Sequence, residues 1–118
     1  RSQEWEAFLH PAYNFAARHK ADRVYFPRSN YVTYLASGQY YVDDNMTWDR
    51  EILCGLGVPK KGIDMLEARY WDDIIGEFYS GKLNAVREKH YQAMPDRAGA
   101  YTVYCRRTRP VKEDPVEE

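Results

Sequence analysis

Two pairs of adjacent acids, Asp43-Asp44 and Asp72-Asp73, are the first residues whose type suits chemistry. Two carboxylates act as general acid and base, or share a divalent cation, when their environments differ or their oxygens converge. Neighbouring side chains on a helix diverge by about 100°, so Asp72-Asp73 makes no site by itself. Asp43-Asp44 reads as the acidic start of a helix, where the helix dipole favours negative charge. His10, His19 and His90 have no second histidine at i+3 or i+4, so no helical metal pair is present. They take structural roles instead, His10 ahead of Pro11 and His19 in the last turn of a first helix. A thiol nucleophile would need Cys54 or Cys105 beside one of these histidines, and Cys54 falls near a helix C-terminus, where the dipole disfavours a thiolate. Gly55, Gly57 and Gly62 lack the spacing of a phosphate-cradling loop. The remaining reactive cluster is Arg106-Arg107-Thr108-Arg109, suited to docking on carboxylates, lipid headgroups or phosphate.

Composition favours contact over catalysis. The chain has 118 residues, enough for one domain with a real core. Its net charge of −1 argues against a nucleic-acid binder, which carries a basic face. Eleven Tyr, three Trp and four Phe make 15% of the residues, an excess of rings with an apolar face and, in Tyr and Trp, a polar edge. Such rings gather at protein interfaces, and they also fill cores short of Leu and Ile. The two cysteines define no disulfide framework and read as reduced thiols. The longest uncharged run, 29–42, is too short and too polar for a bilayer span. Arg1 at the start reads as a fragment end or as the residue left by a cleaved leader, an organelle transit peptide being one kind.

The elements that must position these residues read as mainly α. Trp5, Phe8, Leu9, Ala12, Phe15 and Ala16 share one face of a helix from Ser2 to about Lys20, with Pro11 kinking or splitting it. Over 21–42 strand-type residues alternate with Pro27, Asn30 and Gly38, giving a Tyr-rich irregular or β-like excursion. A second helix carries Trp48, Ile52 and Leu56 and stops at Gly57 and Pro59. A third carries Ile63, Leu66, Tyr70, Ile74 and Phe78 as one stripe until Gly81, and a fourth runs from Lys82 to Met94. A short strand near 101–105 follows. The expected fold is therefore about four helices in a single domain over 1–105, with an extended Arg-then-acidic tail over 106–118.

Several stretches resemble the small matrix-side subunit 7, or ubiquinone-binding protein, family of the mitochondrial cytochrome bc1 complex. Ala12-Tyr13-Asn14-Phe15-Ala16-Ala17 is similar to the family's opening helix, and Gly38-Gln39-Tyr40-Tyr41-Val42-Asp43-Asp44 to its acidic turn. Val58-Pro59 resembles the Leu-Pro that follows, and Arg69 in Glu67-Ala68-Arg69-Tyr70 has a counterpart on the next family helix. Residues 21–37 have none. The resemblance implies a non-catalytic subunit, peripheral to the mitochondrial inner membrane on its matrix side, that supports assembly of a respiratory-chain complex and holds no redox centre.

Composition and resemblance thus converge on an accessory subunit that binds other protein subunits, with no catalytic, cofactor or metal residues assigned. The partner-facing candidates are Tyr25, Tyr31, Tyr34, Tyr40, Tyr41, Asp43, Asp44, Arg106, Arg107 and Arg109. Two alternatives make different demands. A small enzyme would need Tyr13, Tyr70, Asp73 and His90 around one pocket, and a ribosome- or RNA-associated module would stack bases on the rings and meet backbone phosphate with the arginines.

Overall fold

The computed structural model describes residues 3, 5–28, 32, 35, 36, 38 and 60–108. A π-helical turn, Trp5–Leu9, leads directly into α1, His10–Arg18. Pro11 lies in the first turn of α1, and the helical backbone runs on into it from Leu9, so the chain changes helix type ahead of the proline and does not split in two as expected. β1 is Val24–Tyr25, α2 is Lys60–Glu67, β2 is Asp73–Ile75, and α3 is Gly81–His90. Tyr91–Ala98 forms β3 and Tyr101–Arg106 forms β4, joined through Gly99-Ala100 with Gly99 at φ 60.

The four strands make one mixed sheet in the order β1-β2-β4-β3. β1 runs parallel to β2, while β2–β4 and β4–β3 are antiparallel. Side chains alternate between two faces. Val24, Ile75, Val103 and Ala98 pack with Ala12, Phe15 and Ala16 of α1, and with Val32 and Ala36. Tyr25, Ile74, Tyr104 and Tyr91 pack with Leu66 of α2, Leu83 of α3, and the loop residues Trp71 and Phe78. The result is a helix–sheet–helix sandwich. Each large apolar side chain sealed in it contributes about 1.5–3 kcal/mol relative to exposure.

This corrects the expectation of a mainly helical chain. The stripe Ile63-Leu66-Tyr70-Ile74-Phe78 belongs to two structures, not one. α2 ends in a Schellman-type closure, with the Arg69 N–H donating to Leu66 O (3.0 Å) and the Tyr70 N–H to Met65 O (3.0 Å). Arg69 takes φ 52 to close it, and Gly76 takes φ 80, two left-handed residues that no continuous helix admits. The strand between them was hidden because both of its faces are covered. A strand buried on both sides reads as an unbroken apolar run, and Ile74-Ile75 shows no alternation. The fourth helix stops at His90, four residues before the expected Met94, because pairing with β4 draws 91–98 into the sheet. Within 21–42, Val24–Tyr25 is a strand, while Val32, Leu35 and Ala36 have helical backbone, so the excursion is not simply extended. The strand expected near 101–105 is present as β4, and Arg106 is its last residue. The Arg69 helix implied by the family resemblance is a turn. The second expected helix and the acidic turn at Asp43-Asp44 lie outside the described residues.

Gly76 has a specific reason to be glycine. Besides its φ of 80, a Cβ there would stand 3.0 Å from Cδ1 of Tyr101. Gly76→Ala is expected to lower unfolding free energy by about 1–3 kcal/mol in a urea titration, with an unchanged m-value.

Candidate functional site

Three constellations of charge surround the sheet, and each begins with a local feature of the chain. The first surrounds 70–72, the segment entering β2. Trp71 is fully buried, stacked on Tyr25 with centroids 4.3 Å apart, and Tyr70 meets it edge-on at 5.7 Å. The carbonyl of Trp71 accepts from the Tyr91 hydroxyl (2.7 Å) and from Nε of Arg106 (2.9 Å). Arg106 also donates to Tyr70 O (3.1 Å) and pairs with Asp72 at 3.1 Å. The guanidinium of Arg23 covers the Tyr70 ring at 4.3 Å, within cation–π range.

Arg107 works at the end of α3. Its N–H donates to His90 O (2.9 Å) and its Nε to Glu88 O (3.1 Å), occupying carbonyls that the last helical turn leaves open. Arg69 donates in turn to Arg107 O (2.7 Å) and Thr108 O (3.3 Å), pinning the chain as it leaves β4.

The second constellation lies on the α3 side. Ser80 caps α3, its hydroxyl accepting from the N–H groups of Lys82 (3.2 Å) and Leu83 (3.5 Å). That register brings Arg87 one turn below Leu83 and buries it to 4% exposure. Its guanidinium pairs with Glu77 (2.7 Å) and Glu88 (3.2 Å) and lies 3.7 Å above the Tyr104 ring. The Tyr104 hydroxyl donates to the other oxygen of Glu77. Burial, and then the hydrogen bond to Glu77, push the Tyr104 hydroxyl above its ordinary pKa. Beside this group Tyr79 is 60% exposed, with the Arg28 guanidinium 4.4 Å over its ring and Nε of Arg28 fixed on Glu77 O (3.1 Å).

The third is an acid corner on the α1 side. Asp73 opens β2 at 6% exposure; burial, and then the charge of Asp22, push its carboxyl up to about 6, with His19 acting against the rise. His19 closes α1, its N–H reaching Phe15 O (3.1 Å) and Ala16 O (3.2 Å), while ring Nδ1 lies 2.8 Å from Phe15 O.

The sequence-derived candidates separate accordingly. Tyr25 is fully buried and serves the core as a stacking ring rather than facing a partner. Arg106 and Arg107 are committed to the chain's own carbonyls and acids. Tyr31, Tyr34, Tyr40, Tyr41, Asp43, Asp44 and Arg109 lie outside the described residues. The four residues singled out for catalysis are not gathered. Tyr13 packs against the α1-side core and Tyr70 against the opposite one. Asp73 belongs to the acid corner and His90 to the C-terminus of α3, where burial lowers its pKa. Among the described residues no three His, Cys, Asp or Glu side chains are placed to hold a metal ion. None of the described helices is long and apolar enough to cross a membrane.

Asp22, Arg28, Glu77, Tyr79 and Arg87 went unmarked in the sequence. Their roles depend on contacts between distant segments, such as Arg28 with Glu77 across 49 positions, and no local pattern carries that signal. Only the Leu83/Arg87 spacing of one helical turn hinted at a buried arginine.

Comparison with known protein families, with curated proteins and with solved structures finds no match to this chain.

Removing Arg87 takes the ion pair from Glu77, which keeps only the Tyr104 hydroxyl, and uncovers the Tyr104 ring. Arg87→Ala is expected to destabilise by about 2–4 kcal/mol in denaturant unfolding. Arg87→Lys should recover less than half of that, since a point charge cannot both fork to two carboxylates and lie flat on a ring.

Proposed function

We propose that this chain is a non-catalytic accessory module that docks onto other protein subunits of a larger assembly. The observation that carries the reading is the Arg28–Tyr79 pair. Tyr79 is 60% exposed, yet it is held beneath a guanidinium whose Nε is itself fixed on Glu77 O. Tyr and Arg dominate the energetics of protein interfaces, and a ring ordered before contact loses less entropy on binding. Leu35, 61% exposed, is the other large apolar side chain presented to solvent among the described residues. The dispersal of the residues named for catalysis supports the same reading. So does the engagement of Arg106 and Arg107 with the chain's own backbone, which suits holding a shape better than seizing phosphate.

Among assemblies, the sequence resemblance favours the matrix side of a bc1-type respiratory complex, on the strength of 12–17, a segment of α1 that supplies the buried Ala12, Phe15 and Ala16. Affinity purification of the tagged chain from its source, followed by native electrophoresis, tests both levels. The docking reading expects a discrete high-mass species at fixed stoichiometry. Tyr79→Ala and Arg28→Ala should each cut retention roughly tenfold or more while leaving the melting temperature of the isolated chain within a few degrees. Fixed-ratio recovery with complex III supports the respiratory placement, and fixed-ratio recovery with another assembly removes that placement alone. A chain recovered only as a compact monomer overturns the docking reading.

A further inference from the structure

Two arginines bracket the edge strand β1, and both lie on tyrosine rings. Arg23 precedes Val24 and Arg28 follows Pro27, each of them exposed. The Arg23 guanidinium stands 4.3 Å from the centroid of Tyr70, and that of Arg28 stands 4.4 Å from the centroid of Tyr79. At Arg23 the main chain is anchored. Its N–H donates to Oδ2 of Asp72 (2.7 Å), and its carbonyl accepts from the N–H groups of Asp72 (2.8 Å) and Asp73 (3.3 Å). At Arg28 the side chain itself is anchored, Nε donating to Glu77 O at 3.1 Å. Among the described residues no acceptor meets the guanidinium of Arg23 or the terminal nitrogens of Arg28. Arg69, Arg87, Arg97, Arg106 and Arg107 differ in this respect, each giving side-chain N–H groups to the chain's own carbonyls or acids.

We propose, resting on the docking reading above, that Arg23 and Arg28 form a two-point clamp for an acidic segment of a partner protein, each guanidinium taking one of its carboxylates while lying on its tyrosine. The fork of a guanidinium matches the two oxygens of a carboxylate, and a ring beneath it holds the fork in place before contact, so less side-chain freedom is lost on binding.

The setting selects among anions. Asp72 accepts from the Arg23 N–H, and Glu77, which holds Arg28 through its carbonyl, keeps its carboxylate on Arg87 and Tyr104. With acids this close and a net charge of −1, a polyphosphate backbone meets repulsion, whereas one carboxylate per guanidinium is matched in charge. Five residues of chain separate the two arginines, so their Cα atoms are no more than about 18 Å apart. One short stretch of a single partner can therefore reach both.

The test uses the full chain in the assembly with which it is recovered. Arg23→Gln and Arg28→Gln should each lower retention roughly threefold or more, the double variant more than either, with the melting temperature of the isolated chain within a few degrees of wild type. Raising NaCl from about 0.05 to about 0.5 M should weaken the wild-type association roughly tenfold and that of the double variant less than about twofold. Arg23→Lys and Arg28→Lys then place amines at the same two positions. A carbodiimide condenses an amine with a touching carboxylate to an amide and takes up the water as a urea, and mass spectrometry reads the joined residues. The clamp expects both positions joined to Asp or Glu of one partner chain. Retention by the assembly that is indifferent to both glutamine substitutions overturns the clamp and leaves docking standing, whereas recovery only as a monomer overturns both. Crosslinks confined to this chain's own acids, within one copy or between two, overturn the clamp. So does an association that inorganic phosphate displaces at constant ionic strength and that yields no crosslink.

Discussion

The main-chain oxygen of Trp71 has two lone pairs, and both are taken by groups from the far end of the sequence. The Tyr91 hydroxyl arrives from the start of β3 and the Arg106 guanidinium from the end of β4. A buried carbonyl left unsatisfied costs about 1–3 kcal/mol, so this atom ties the entry of β2 to the antiparallel hairpin. The aromatic packing depends on that tie. With the peptide of Trp71 fixed, its indole lies flat on Tyr25, and Tyr25 carries β1 to the sheet edge. The sandwich is therefore assembled around a loop residue whose two neighbours, Tyr70 and Asp72, meet the same arginine.

Among the described residues, several arginines are turned onto the chain's own acids, carbonyls and rings. Arg87 lies among Glu77, Glu88 and the Tyr104 ring, Arg107 closes α3, and Arg69 fastens the outgoing chain. Guanidinium is well suited to these roles, because its flat fork serves carbonyl, carboxylate and ring at once. A chain short of Leu and Ile thus gains cohesion from arginine laid against aromatic rings, and the same chemistry reaches the surface at Arg28 and Tyr79.

Much of the local structure was legible. The apolar face of α1 and the strand expected near 101–105 follow from spacing. The sheet as a whole was not. In Ile74-Ile75 the two-residue alternation vanishes because helices cover both faces, and the surviving pattern fits a helix equally well. For 91–94 the side chains suit a helix, and only the partner strand decides otherwise. The acid corner failed to show for a related reason. Asp72-Asp73 was judged as a neighbouring pair, whereas Asp73 is buried where it feels the charge of Asp22, about fifty residues away in sequence, and Asp72 pairs with Arg106.

β3 forms one margin of the sheet, and its pairing with β4 shifts register between Ala93 and Arg97, where Pro95 stands with Asp96 beside it. A proline offers no N–H to an incoming strand, and an uneven, charged margin cannot lie flush against its own copy. The consequence is colloidal. Pro95 and the charged bulge thus disfavour the addition of a second copy strand-by-strand along β3.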